Sequence, residues 1–172
     1  MPLFSSLQCQ GKSKTRSFIG LDGWGSYSVP KADIPHIKQL MADGSYTLEK
    51  RTVLPSSSAV NWASMFMGAG PELHGYTQWG SKTPELPSRV LNQHGIFPTI
   101  FQLLRDARPE AEIGCLYEWD GIKYLVDTLA LSHYAQAPDY NKHPEALCGM
   151  AEKYIKEKQP TFLPFALTTP TM

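Results

Sequence analysis

Three consecutive serines, Ser56 to Ser58, follow Pro55 and stand directly before an apolar segment. A serine at the beginning of a helix places its hydroxyl where backbone N–H groups and the helix dipole favour an anion. A hydroxyl in that position could act as a nucleophile in phosphoryl chemistry. The alternative is an ordinary helix cap, because serine is among the preferred capping residues, and the local pattern alone favours the cap.

An acidic residue, Asp22, follows the apolar run Ser17-Phe-Ile-Gly-Leu21, which is typical of a buried strand. Asp22 is therefore predicted at the carboxyl end of a strand, where sites form in open α/β sheets. A carboxylate there can hold a divalent cation that lowers the pKa of a neighbouring hydroxyl. An Asp-Gly β-turn is the structural alternative for Asp22-Gly23.

Apolar periodicity predicts alternating strands and helices around these two positions. Strands are predicted at residues 17–21, 45–54, 111–117 and 160–166, and helices at residues 33–42, 61–67, 99–107 and 142–158. The pattern predicts an α/β fold with a mostly parallel sheet and helices on both faces. Asp33 is expected to cap the first helix, and Pro164 argues against a central position for the last strand. Residues 76–95 are predicted to form a long loop near the site.

The composition excludes several classes of protein. The chain has 172 residues, with 16 basic and 16 acidic side chains, so no basic surplus indicates nucleic acid binding. No apolar run reaches about 18 residues, so no membrane span is predicted. Residues 1–15 are expected to be a mobile arm. Cys9, Cys115 and Cys148 form no disulfide or metal pattern, and each is expected to be a small buried residue.

Three segments carry a combined pattern: Ile19-Gly-Leu-Asp22-Gly, Ile34-Pro-His-Ile-Lys-Gln-Leu-Met-Ala-Asp-Gly44 and Leu54-Pro-Ser-Ser-Ser-Ala-Val-Asn-Trp-Ala-Ser-Met-Phe-Met-Gly-Ala-Gly-Pro-Glu-Leu-His-Gly75. Together they resemble the alkaline phosphatase superfamily, most closely its type I phosphodiesterase/nucleotide pyrophosphatase branch. The resemblance implies an alkaline phosphatase-like α/β fold, with residues 16–172 as the N-terminal, truncated portion of a catalytic domain. It also implies metal-dependent hydrolysis of phosphoric esters.

Position by position, Ser58 resembles the family's nucleophile, and Asp22 resembles an aspartate that binds one of two divalent metal ions, usually zinc. Both residues would then be metal ligands. Trp79 stands near the spacing at which diesterase relatives place a phosphoryl-binding asparagine, and the neighbouring Gln78 could supply the amide donor instead. His74 belongs to a matching motif but is expected to pack or hydrogen-bond rather than bind metal, as a lone histidine usually does.

The chain lacks the family's remaining metal motifs, so Asp22 and Ser58 supply two donors where two metal ions need about five or six. This chain is therefore expected to be inactive by itself and to hold zinc weakly. Glu118, Asp120 and His133 show no ligand spacing and are each expected to be surface or loop residues.

The last residues, Leu167 to Met172, stand where relatives continue into an Asp-Asn-Pro-Asp-His-like metal segment. One set of codons for this tail encodes Asp-Asn-Pro-Asp-His when it is read in a shifted frame. A frameshift before the metal segment is therefore a hypothesis, which sequencing the gene beyond this point tests.

Two functions remain open: a serine-dependent phosphoric ester hydrolase, and a metal-free α/β binding or interaction module without catalysis. The expected partner of the hydrolase is a small phosphate ester, whose identity the sequence does not determine. A sheet with an exposed apolar edge is expected to self-associate into a homo-oligomer. The resemblance suggests a periplasmic or extracytoplasmic location.

Overall fold

A computed structural model describes residues 15–138 and 143–168. Within them, the sheet consists of β1 (Arg16–Asp22), β2 (Gly114–Tyr117), β3 (His133–Gln136) and β4 (Phe162–Thr168). The helices are α1 (Pro35–Asp43), α2 (Ser58–Met67), α3 (Pro71–His74), α4 (Ile100–Ala107) and α5 (Pro144–Lys158). The strand order is β1-β4-β2-β3, and every pairing between these strands is parallel. The predicted α/β fold with a mostly parallel sheet is confirmed.

Two apolar clusters place helices on both faces of this sheet. On one face, Trp62 and Phe66 of α2 pack against Phe18 of β1 and Phe101 of α4. On the other face, the second cluster joins α5 to β2 and β4. Its buried members are Leu116, Ala137, Leu147, Ala151, Tyr154 and Leu163. This two-sided burial holds the carboxyl ends of β1, β4 and β2 along one edge of the sheet.

β4 lies between β1 and β2, so the expectation that Pro164 excludes a central strand is wrong. The N–H of Phe162 and the C=O of Ala166 both face β2, where they bond to Glu112 and Glu118. Residues two apart along a strand direct their backbone groups to the same side, so position 164 also faces β2. The β2 pairing is interrupted there, which leaves no ladder hydrogen bond for the proline to lose.

Residues 45–54 do not form the predicted strand. Nine of these ten side chains are exposed, and only Val53 is partly buried, so the segment buries too little apolar surface to pair as a strand. The Val53 N–H donates to the Asn61 side chain at 3.4 Å, a contact with a helix rather than with a ladder. The strand β3, in contrast, has no apolar alternation and was not predicted, because its pairing with β2 forms it.

The amino-terminal elements are less buried than the sequence predicts. β1 is an edge strand within the described residues, and Ile19 is 54% exposed, whereas the run 17–21 was predicted as a buried strand. α1 contains no buried residue, and Ile34, not Asp33, occupies its N-cap position without a side-chain hydrogen bond. Both predictions are corrected: among the described residues β1 has a neighbouring strand on one side only, and α1 buries none of its side chains.

The expectations for the cysteines, the amino-terminal arm and membrane spans have different outcomes. Cys115 is buried in β2 as expected, whereas Cys148 is exposed on α5. Cys9 and residues 1–14 of the expected arm lie outside the described residues. Among the helices that the structure describes, none has the length and apolar character required to span a membrane.

Candidate functional site

The helix α2 begins at Ser58 and carries the candidate nucleophile in its first turn. The segment contains no glycine or proline before Gly68, and its buried side chains include Ala59, Val60 and Phe66. Gly68 ends the helix in the left-handed conformation, with φ of 62°, which glycine adopts without a steric penalty. Apolar burial along α2 therefore fixes the position of Ser58.

The amino end of α2 has no side-chain cap. Ser57 occupies the N-cap position with an extended backbone (φ −145°, ψ 161°), but its side chain accepts no hydrogen bond from the first turn. The Ser57 Oγ is buried and has no hydrogen-bond partner among the described residues. Because no hydroxyl caps the first N–H groups, they are available to an anion at the positive end of the helix dipole.

Asn61 holds the segment that leads into α2. Its Oδ1 accepts hydrogen bonds from the Thr52 hydroxyl at 2.7 Å and from the Val53 N–H at 3.4 Å. Its Nδ2 donates to the Ser57 carbonyl at 3.0 Å. The turn before Ser58 is thus tied to the helix that it enters, which fixes the direction in which the serines approach.

Trp62 connects this helix to Asp22. Its indole Nε1 donates to the Asp22 carboxylate at 3.3 Å. A Cβ at Gly20 would lie 2.0 Å from the Trp62 ring, so the indole rests on the bare backbone of β1. Residues four apart share one face of a helix, so Ser58 lies on the side of α2 that faces Asp22. The structure therefore places the two predicted site residues at the same edge of the sheet.

Gln78 lies on an exposed turn of the predicted long loop. Its backbone N–H donates to the Ser81 Oγ at 3.2 Å, and its carbonyl accepts from the same hydroxyl at 2.9 Å. The loop assignment is correct, since residues 76–95 contain neither helix nor strand. The role of Gln78 as a phosphate-binding residue stays a prediction.

His74 is fully buried at the end of α3. Its Nδ1 accepts from the Tyr76 N–H at 3.1 Å, so the proton lies on Nε2, which is 3.0 Å from the Ser64 hydroxyl. Burial lowers the pKa of this imidazole, because it disfavours the charged form. Both ring nitrogens are engaged within the protein, as the predicted hydrogen-bonding role requires.

The expected metal ions require more donors than this part of the chain provides. Within residues 15–138 and 143–168, no group of three or more His, Cys, Asp and Glu side chains is arranged to hold a metal ion. Asp22 and Ser58 offer two oxygen donors, whereas structural zinc sites are almost always four-coordinate. The described residues therefore do not fit a zinc centre by themselves.

Glu118 is buried, although the sequence predicted a surface or loop residue. It directly follows β2, its N–H donates to the Ala166 carbonyl at 3.2 Å, and its carbonyl accepts from the Gln136 side chain at 2.9 Å. It thus stands at the same edge of the sheet as Asp22. The predicted strand 111–117 already places Glu118 at the carboxyl end of a strand, but the burial of its side chain was not predicted.

A second buried carboxylate, Asp127, was not singled out from the sequence. It accepts hydrogen bonds from the His94 Nδ1 at 2.8 Å, the Asn92 side chain at 2.7 Å and the Leu129 N–H at 3.2 Å. These bonds fasten the end of the long loop to the crossover between β2 and β3. No spacing in the sequence indicates this cluster, since 33 residues separate His94 from Asp127.

The other two acidic or imidazole candidates lie at the surface or in turns, as expected. Asp120 forms an ion pair with Lys123 at 2.6 Å. His133 is exposed and stacks on Tyr154, with ring centroids 5.1 Å apart. Neither residue lies in a group that could hold a metal ion.

Residues 18–101 match the model of the type I phosphodiesterase / nucleotide pyrophosphatase family, and they include Asp22 and Ser58. The predicted resemblance to this family is confirmed over this segment. A comparison with curated protein sequences finds no match.

Two solved structures of phosphonoacetate hydrolase from Sinorhizobium meliloti 1021 share the fold. The complex with phosphonoacetate has a TM-score of 0.64 at 17% identity, and the complex with phosphonoformate has 0.64 at 18%. Each alignment covers 91% of this chain and 46% of that chain. The chain thus spans about half the length of these two structures, and the similarity at this identity concerns the fold.

Proposed function

We propose that this chain carries the nucleophile portion of a phosphoric ester hydrolase site, with Ser58 as the attacking group. The observation that supports the proposal is the amino end of α2, which has no side-chain cap and carries Ser58 on the same helix as Trp62, whose indole donates to Asp22. The family match over residues 18–101 supports the same reaction class.

In the proposed reaction, the Ser58 Oγ forms a bond to phosphorus while the bond to the leaving oxygen breaks. The serine proton ends on the leaving group, which departs as an alcohol or phenol. First-turn N–H groups of α2 donate to the phosphoryl oxygens, where negative charge accumulates in the transition state. Water then cleaves the serine ester, which releases the phosphate and restores the hydroxyl.

Asp22 is proposed as a ligand of one of two divalent ions, for which zinc is the family's usual metal, because its position matches the family's metal-binding aspartate. Two oxygen donors do not hold zinc tightly, so we expect this chain to retain little zinc after dialysis and to show no turnover without added zinc. Asp22→Asn keeps an oxygen that can accept from Trp62 but removes the charge. Any stimulation of turnover by added zinc should disappear in this variant.

The test uses p-nitrophenyl phosphate and bis(p-nitrophenyl) phosphate, with and without added zinc. Phenol release is followed by absorbance, and intact-protein mass detects a phosphoryl adduct on the chain. We expect Ser58→Ala to abolish both signals. Ser56→Ala is the matched control, because Ser56 precedes the helix and its hydroxyl lies 3.3 Å from the Thr52 hydroxyl.

An adduct on Ser56 or Ser57, or phenol release that persists in Ser58→Ala, would show that Ser58 is not the nucleophile. If neither ester reacts at any zinc concentration, the binding module without catalysis becomes the better description of this chain.

A further inference from the structure

Trp79 and Trp119 form a stacked pair whose outer ring is open to solvent. Their ring centroids are 5.9 Å apart with an interplanar angle of 29°. Trp119 packs partly against the first apolar cluster, whereas Trp79 is 64% exposed. Two stacked rings with one outer face uncovered offer a third planar ring a favourable offset-stacked position.

The turn that carries Trp79 is held rigidly. The Glu85 carboxylate accepts from the Thr77 N–H at 2.7 Å and from the Ser81 hydroxyl at 2.5 Å, on either side of Trp79. Although partial burial acts to raise it, these hydrogen bonds leave the pKa of Glu85 below its ordinary value. The carboxylate is thus charged at neutral pH, and the indole needs little ordering when a ligand binds.

The backbone of the turn that follows Trp119 supports its indole ring. A Cβ at Gly121 would lie 2.1 Å from the Trp119 ring, so the indole lies against bare backbone. The Tyr76 hydroxyl donates to the Tyr124 carbonyl at 3.0 Å, which ties the beginning of the loop to the turn after Trp119. Both indoles of the pair therefore belong to supported segments.

The register places this pair beside the proposed reaction site. Asp22 pairs with Thr168, and Tyr117 pairs with Ala166, so the bend that contains Trp119 leaves the sheet at the same edge as Asp22. β4 separates the two strands, and adjacent strands are about 4.8 Å apart, which gives roughly 10 Å between the carboxyl ends of β1 and β2. That separation is comparable to the length of a small aryl phosphate ester.

Charged groups of both signs stand near the pair. The Lys82 and Lys123 ammonium groups lie 5.5 Å and 5.0 Å from the centroid of the Tyr124 ring. Lys123 is paired with Asp120, and the Glu85 carboxylate stands on the same turn as Lys82, so these charges do not by themselves select the charge of a ligand.

We infer that the stacked pair Trp79–Trp119 is a subsite for the aromatic ring of a phosphoric or phosphonic ester, and that Trp79 determines this specificity. The inference rests on the proposed function, because the phosphoryl group would lie at the amino end of α2. The competing explanation is that Trp79 merely covers Trp119.

The test compares phenylphosphonate with methylphosphonate by ligand-observed NMR, since neither compound requires turnover to be detected. Ring stacking is worth about 0.5–1.5 kcal/mol, so phenylphosphonate should bind about 2- to 10-fold more tightly. Trp79→Ala should bring the ratio of the two affinities to about 1, and Trp79→Phe should restore part of it. Tyr27→Ala, which removes an exposed aromatic ring from another segment, should leave the ratio unchanged.

The outcomes separate the two proposals. If methylphosphonate binds and phenylphosphonate binds no better, the aromatic subsite is wrong while the anion site at α2 stands. If neither compound binds, both proposals fail. A ratio that persists in Trp79→Ala would also overturn the subsite, because the preference would then come from another part of the chain.

Discussion

The amino-terminal region, residues 16–54, and the central region, residues 58–137, differ sharply in burial. α1 contributes no buried residue, and Leu40 on this helix is 68% exposed. In the central region, Phe101, Ile113 and Leu125 are completely buried. The amino-terminal region contributes Asp22 to the site and the central region contributes Ser58. The candidate site therefore spans a boundary at which only one of the two sides is well packed.

Trp62 is the principal side chain that joins the two regions. It belongs to the central core, but its ring rests on Gly20 and its indole N–H reaches Asp22. The pairing of β1 with β4 holds the backbone of Asp22, and the helix α2 contacts its carboxylate through Trp62. Substitutions made in each region separately test how much each region contributes.

The largest effect is expected from Phe101→Ala. This side chain is fully buried and lies against Phe66, with ring centroids 5.3 Å apart. Its truncation leaves a cavity and should lower the free energy of unfolding by about 3–5 kcal/mol. Leu40→Ala, the matched change in the exposed region, should alter it by less than about 0.5 kcal/mol. Urea unfolding measures both, and equal losses would contradict the contrast between the two regions.

Gly20→Ala tests the junction itself. The new methyl group would collide with the Trp62 ring, so the indole must move away from Asp22. We expect a loss of roughly 1–3 kcal/mol in the free energy of unfolding and a changed near-ultraviolet tryptophan spectrum. Gly149→Ala is the control, because no atom lies within 4 Å of its added Cβ. That helical change should stabilise by roughly 0.5–1 kcal/mol, and the junction would be misassigned if both variants behaved alike.

Self-association through β1 is the third expectation. The Arg16 N–H donates toward β4, so the backbone groups of Ser17, Ile19 and Leu21 face away from the sheet. Such an edge can pair with a second copy, and the mass from light scattering should rise with protein concentration. Ile19→Lys should reduce that rise, whereas Leu103→Lys, at an exposed position of α4, should not. A wild-type chain that stays monomeric at every concentration would refute the expectation.

The smallest effect concerns the pH dependence of the supported turn at Glu85. Because the pKa of Glu85 is lowered in the folded protein, its stabilisation is present above the ordinary value of 4.5 and is lost as the pH falls through the lowered pKa. The group is exposed, so the difference between wild type and Glu85→Gln should stay below about 1 kcal/mol. Urea unfolding across this pH range measures it. Ser81→Ala, which removes one of the donors, should shrink the same difference, and a difference that grows on acidification would have the wrong sign.

Part of the fold could be predicted because local patterns agreed with the final structure. α2, α4 and α5 follow apolar periodicity and their terminal signals, and Thr99 caps α4 by accepting from the Gln102 N–H at 3.2 Å. The alternation of helices and strands was sufficient to predict a parallel sheet. The strand predicted at residues 45–54 does not form, and the strand β3 was not predicted. In both cases pairing with neighbouring strands, rather than local composition, decides whether the segment becomes a strand.

The residues of the candidate site also divide into those that the sequence predicted and those that it did not. The segment match and the position after a strand were sufficient to choose Asp22 and Ser58. The burial of Glu118 and the stacking of Trp79 on Trp119 could not be predicted, because these residues are brought together by the register of β2 with β4 and by the path of a long loop. Neither relationship leaves a spacing in the sequence.

The sequence by itself determined the α/β class and the end of α2 at Gly68, because both follow from local patterns, and its resemblance to a known family supplied the two residues proposed for the chemistry. Only the tertiary structure decided that Pro164 lies in a central strand, that α2 has no side-chain cap, and that Trp62 joins α2 to Asp22. These features depend on which distant backbone groups meet. The hydrogen-bond register of the strands and the packing of Trp62 against Gly20 determine which of these groups meet, whereas local propensity does not.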